Sequence, residues 1–184
     1  MELRLFRGKG LYSLWGTNGH GEGHDILLAR RGRILLFPRL NDLRHWMVAE
    51  NSHNMAKWSN FQRLQGDTRS ARLTLNRPAP FLYDFPAAVA TVALLKPGCR
   101  ITHSAQKNLL DTLNLLWDAT TMLRELHARK LLTPVSALGR LADILTFRDM
   151  ARERLWRRRM PRIQMRADLL FLIGTLAEHC ELVR

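Results

Sequence analysis

Two histidines four residues apart, with a carboxylate between them, can hold a divalent metal. His20-Gly-Glu-Gly-His24 raises that chemistry within Trp15–Asp25, a stretch with four glycines. Zinc needs deprotonated nitrogen, sulfur or oxygen ligands in tetrahedral array. The helical zincin pattern puts Glu directly after the first His, whereas Glu22 lies two residues after His20. Two glycines between the histidines also oppose a helix. A third ligand would have to come from elsewhere, Asp25 and His45 being candidates. The phosphate-loop alternative lacks the Lys that must follow its glycines, and the dinucleotide fingerprint needs a different glycine spacing between a strand and a helix. Residues 16–24 therefore read as a loop between two strands, its glycines supplying unusual backbone angles. His20, Glu22 and His24 are expected as exposed residues able to touch a partner. No metal and no cofactor is expected.

The second candidate is Arg148–Arg166, "RDMARERLWRRRMPRIQMR", with eight arginines against Asp149 and Glu153. Such a surface can neutralise phosphates and give salt-dependent nucleic-acid binding. Trp156 could stack a base. A solvated helix, its arginine stems covering apolar surface, accounts for the same residues. Arg154, Trp156, Arg157 and Arg158 are the contact candidates here. Trp58, in an Asn- and Ser-rich segment, is another.

Nucleophilic catalysis finds no local signature such as Gly-x-Ser-x-Gly among the seven histidines and two cysteines. The acid pairs Asp149/Glu153 and Glu178/Glu181 read as solvated, salt-bridged residues. No enzyme is expected. Cys99 and Cys180 are too few and too far apart for a disulfide framework, and both are expected reduced. The net charge is +13, from 24 Arg, 5 Lys and 16 acids. That favours nucleic acid, an acidic membrane surface or an acidic protein as partner. The arginine skew also fits genome base composition. No apolar run approaches the roughly 20 residues of a membrane span, and "MELRLFRGKG" lacks the apolar centre of a secretion signal. The expected compartment is the cytoplasm.

The elements that must position these residues follow from local patterns. "ELRLF" (2–6) and "LYSLW" (11–15) read as a hairpin, as do "DILLA" (25–29) and "RILLF" (33–37) around Arg30-Arg31-Gly32. Asn41 or Asp42 is expected to cap a helix with Leu43, Trp46 and Met47 inward. Trp58, Phe61 and Leu64 suit a short helical turn. "ARLTL" (71–75) reads as a strand before the breaker "RPAP". Asp84 and Pro86 should start a helix that ends at Pro97-Gly98. Ser104 should cap the longest helix, about 105–130, burying Leu109, Leu113, Leu116, Trp117, Thr120, Leu123 and Leu126. Thr133-Pro134 should open another, with Val135, Leu138, Leu141 and Leu145 inward. A last helix, about 166–181, should bury Leu169, Leu170, Ile173, Leu176 and Ala177. The expected fold is α+β: a small N-terminal antiparallel sheet packed on about four to five C-terminal helices. We expect a single domain over 1–184, sheet-rich over about 1–80 and helical over about 81–184. A division near 78–84 is the alternative.

The order "YSLWGT", a Gly-rich turn, "HDILLARRGRILLF", "NSHNMAKWSNFQRL", "YDF" and "NLLDTLNLLWDATTML" resembles small immunity proteins of bacterial polymorphic-toxin and contact-dependent growth inhibition systems. The likeness covers roughly residues 11–123. It implies binding without catalysis: a cytoplasmic protein that occupies a cognate toxin and neutralises it. Such complexes need a cluster of buried aromatic or Arg anchors. Many toxins of this kind are basic nucleases with acidic immunity proteins, so a chain at +13 suits an acidic toxin. The alternative function is nucleic-acid binding through 148–166.

Overall fold

Two hairpins open the chain, the second fixed by the chemistry of its turn. The computed structural model describes residues 1–4, 10–17, 25–70, 82–96, 101–147 and 160–183. Strand β1 (Glu2–Arg4) pairs antiparallel with β2 (Leu11–Tyr12), matching Glu2 with Tyr12 and Leu3 with Leu11. Strands β5 (Ala29–Arg30) and β6 (Arg33–Leu36) pair around a two-residue turn. Both turn residues have positive φ, Arg31 at 51° and Gly32 at 76°. That is the signature of a type I′ turn, whose twist matches the flanking strands. Between the hairpins, β3 (Trp15–Thr17) pairs with β4 (Asp25–Leu27), bringing together the two ends of the glycine-rich stretch.

Contacts divide the chain into two compact units. One comprises Met1–Arg4, Gly8–Leu82 and His179–Arg184. Its short sheets are knitted by backbone bonds from Tyr12 to Phe37 in both directions, from Leu28 to Leu14 and from Leu35 to Leu28. Helices α1 (Leu40–Ala49) and α2 (Ser59–Arg69) pack against each other. Leu28, Leu35, Phe37, Leu43, Met47, Met55 and Phe61 form one buried cluster. The α1 cap differs from expectation. The N-cap is Arg39, without a side-chain bond, so neither Asn41 nor Asp42 fills that role.

The C-terminus differs as well. The last helix stops at Glu178, and Cys180–Leu182 form β8, parallel to β6 with Ile34 opposite Cys180. Arg30 clasps this junction, 2.9 Å from Glu181 and 3.9 Å from Glu50.

The other unit, Leu5–Arg7 and Tyr83–Glu178, holds five helices among the described residues. Strand β7 (Leu82–Asp84) leads into α3 (Phe85–Leu94). As expected, Asp84 caps α3, accepting from the Ala87 N–H at 2.9 Å, with Pro86 in the first turn. The Asp84 backbone is also held by Asn108, which accepts from its N–H at 3.0 Å and donates to its carbonyl at 2.9 Å.

Asn108 belongs to α4 (His103–Met122), capped by Thr102 and not by Ser104. Helix α4 packs on α3 and on α5 (Leu126–Lys130), α6 (Ala137–Phe147) and α7 (Arg162–Glu178). The expected single helix over 105–130 is broken at Arg124, whose φ is 59°. The Glu125 N–H reaches back to the Thr120 carbonyl and the Arg124 N–H to that of Thr121. This is a Schellman stop with arginine where glycine is usual. It leaves Leu126 exposed. Helix α6 begins after the expected start, and Ser136 receives the Gly139 N–H at 3.0 Å. Val135 therefore lies before the helix, 78% exposed, and not inward. The architecture is α+β.

Candidate functional site

Of the eight contact candidates, Trp58 alone falls among the described residues; His20, Glu22, His24, Arg154, Trp156, Arg157 and Arg158 lie outside them. Trp58 is the residue before α2. Its N–H donates to the Met55 carbonyl at 3.0 Å, and its carbonyl accepts from Gln62 at 2.9 Å. The indole is half-buried against the core cluster. It anchors the 50–58 segment and keeps one edge in solvent.

The preceding residues bind that segment to the sheet. Asn54 Oδ1 accepts from the Ala29 N–H and its Nδ2 donates to the Leu27 carbonyl, both at 2.8 Å. The His53 ring stands in an aromatic row, 5.2 Å from Trp46 and 4.5 Å from Phe61, and Trp46 is 5.5 Å from Phe37. Burial holds the His53 pKa below the usual imidazole range. Glu50 is held low, first by its hydrogen bonds from Ser52. Burial raises Asp25 at the end of the glycine-rich stretch and pushes the Cys180 thiol up to about 12. Among the described residues, no group of three His, Cys, Asp or Glu is placed to hold a metal ion.

In the other unit the clearest surface feature is α7. Its inner side buries Met165, Leu169, Leu172, Ile173 and Leu176. At 3.6 residues per turn, Ile163, Ala167, Leu170, Phe171 and Gly174 form a second stripe on the opposite side. Ile163 is 90% exposed and Leu170 48%, so Leu170 faces outward, against expectation. A helix apolar on both sides suits burial on both sides. One border of the stripe carries Arg162 and Arg166, which have no acidic partner among the described residues. The other carries Gln164, which donates to Asp168 at 2.6 Å. A groove of about 470 Å³ runs beside the stripe, lined by Ala93 of α3 with Arg162, Ile163, Arg166, Ala167 and Leu170. Leu94, next to Ala93 in α3, is also exposed. Farther along, Phe171 meets the His127 ring edge-on at 5.5 Å.

Residues 3–154 match the family model described as the SatS C-terminal domain. The chain belongs to that family. A solved structure titled "The crystal structure of SatS c-terminal domain in complex with bromine" is similar over 100% of this chain and 92% of that one, with a TM-score of 0.71 and 13% sequence identity. At that identity the likeness concerns the fold. None of the curated proteins matches the chain. The matched SatS C-terminal segment ends before α7, whereas the structural likeness runs through α7 and β8. Neither comparison bears on immunity proteins.

Sequence reasoning missed the α7 stripe by assigning its leucines to a single inward face. The available signal was the number of apolar residues in α7, too many for one face of a helix.

Proposed function

We propose that the chain is a non-catalytic binding protein whose contact surface is the outer stripe of α7 with its arginine border. The second apolar side of α7 is the observation that carries this reading. An apolar stripe beside arginines with no acidic partner among the described residues suits a partner offering apolar side chains next to carboxylates. In the form suggested by the resemblance to immunity proteins, the partner is a cognate toxin with an acidic face, met in the cytoplasm. Among the described residues no helix is long and apolar enough to cross a membrane.

The test is co-purification with the product of a neighbouring toxin gene. A stable complex is expected, and Ile163→Ser with Leu170→Ser should weaken it. Burying an exposed aliphatic side chain is worth about 1.5–3 kcal/mol. Ile163 contributes nearly all of that on docking and Leu170 about half, so the pair predicts a loss of at least tenfold in affinity. No complex would exclude the toxin as partner. A complex indifferent to both substitutions would exclude the surface.

The second reading is nucleic-acid binding through 148–166. It is favoured by the density of arginine there and by Arg162 and Arg166 having no acidic partner among the described residues. It predicts oligonucleotide binding that falls steeply with salt and weakens further in Arg157→Ala with Arg158→Ala. Binding that is absent, or unchanged by either, would sink it.

A further inference from the structure

His53 is built to be neutral where it stands. Its Nδ1 accepts the Met55 N–H at 3.2 Å, so the ring proton belongs on Nε2. That Nε2 is sealed from solvent and has no hydrogen-bond partner among the described residues. A second proton on Nδ1 would set donor against donor at Met55 and place a full charge in the aromatic row. Inside the row the imidazolium has only Glu50 to favour it, the main-chain carbonyl first, and turning the ring out solvates it.

That movement would not stay local. Asn54 follows in the chain, with its two side-chain bonds to Leu27 and Ala29 and a third from its own N–H to the Ala29 carbonyl at 3.0 Å. Buried Met55 comes next, then half-buried Trp58. The charged and titratable groups of the packed elements are Asp42, Arg44, His45 and Glu50 from α1 and its end, Arg63, Asp67 and Arg69 from α2, and Arg30 from β5. Of these only Glu50 favours a proton on the ring, through its main-chain carbonyl first and its carboxylate second, and burial outweighs both. The Glu50 carboxylate is already engaged by the Asn51 and Ser52 N–H groups and lies 3.9 Å from Arg30.

We propose that His53 is an acid-operated latch: protonation swings the ring out of the Trp46–Phe61 row and releases the Asn54 clasp from residues 27–29. The segment carrying Trp58 is then closed at neutral pH and opens on mild acidification. The sign follows from linkage. The pKa is lower in the closed state than the ordinary 6.5, so the open state binds more protons. Closure is fully favoured above about 6.5 and is progressively lost as pH falls from there through the closed-state pKa.

Amide hydrogen exchange on the whole chain tests this, with rates corrected for their intrinsic pH dependence. Protection at Ala29 and Met55 should fall between pH 7.5 and pH 5, toward a ceiling of about thirtyfold set by the ordinary 6.5 of the open state, while Leu35 keeps its protection. His53→Asn places an amide oxygen near the accepting Nδ1 and takes no proton, so its Ala29 protection should not depend on pH. Equal protection at both pH values in the unmodified chain overturns the latch, as does the same fall in His53→Asn. If that variant fails to fold, NMR titration of His53 in the unmodified chain decides. Titration at or above 6.5 refutes the proposal, and titration below it with loss of the Ala29 protection supports it.

Discussion

Removing the Asn54 side chain should cost far more than its exposed position suggests. Asn54 has an outer edge in solvent, but the groups it satisfies do not: Leu27 and Ala29 are both buried. Asn54→Ala deletes the acceptor for the Ala29 N–H and the donor to the Leu27 carbonyl. A hydrogen bond contributes about 1 kcal/mol net, and a stranded buried partner costs about 1–3 kcal/mol. With two bonds lost and some water reaching the gap, the expected cost is about 2–4 kcal/mol. That corresponds to a fall in Tm of roughly 5–15 °C for a chain of this size. Urea unfolding followed by circular dichroism gives the stability change, and exchange at Ala29 localises it. Asn54→Asp is the sharper comparison. It keeps one acceptor but turns the donor into a second acceptor facing the Leu27 carbonyl, so at pH 8 it should be no more stable than Asn54→Ala. A cost below about 0.5 kcal/mol for Asn54→Ala would mean that water replaces both bonds freely, and the clasp would have no mechanical role.

Three further outcomes follow from single positions. A Cβ at Gly139 would collide with the Thr133 carbonyl oxygen, a backbone atom, so Gly139→Ala should lower stability by about 2 kcal/mol net of its helix-propensity gain; an unchanged Tm would show that the 131–136 turn yields. Arg124→Gly should stabilise by about 0.5 kcal/mol, because relief of the left-handed backbone exceeds the added unfolded-state entropy, while Arg124→Val should destabilise; urea midpoints of the two variants moving the same way would contradict the Schellman assignment. With the Cys180 thiol near 12 against an ordinary 9.0, its thiolate fraction at pH 8 is about a thousandfold smaller than in the unfolded chain, so iodoacetamide should modify it only after unfolding; rapid labelling in the folded protein would refute the burial argument.

The parts of the fold that could be read in advance are those with local causes. The Arg31-Gly32 turn sets its own hairpin, and Asp84 with Pro86 starts α3, because turn and cap chemistry act over three or four residues. The failures have non-local or unusual causes. Nothing near Cys180 indicates a strand, since its pairing partner is β6 in the first forty residues. The end of α4 was hidden because Arg124 occupies a site where glycine would have announced the stop. Of the contact candidates, Trp58 was legible as an anchor of the 58–64 turn. The clasp formed by its neighbour Asn54 was not, because it requires knowing that strand residues 27–29 lie beside it.

Helix α7 carries the same lesson to function. Apolar residues at helical spacing identify a buried face, and that inference held for Leu169, Ile173 and Leu176. It failed for Leu170, which on the wheel stands with Ile163 and Ala167. A core helix would bury both sides inside its own unit, but Ile163 is 90% exposed. Hydrophobic burial is indifferent to whether the covering atoms come from the same chain, so the stripe has the composition of an interior surface without the interior. The arginine border then gives it direction. A second copy would bring the same Arg162 and Arg166 and a further +13 of charge, which opposes self-association. A partner with carboxylates beside apolar side chains removes both penalties at once. Binding governed by this stripe should therefore lose affinity on Ile163→Ser at any salt concentration, and on Arg166→Ala mainly at low salt. Equal salt dependence of the two variants would mean that Arg166 makes no ionic contact with the partner.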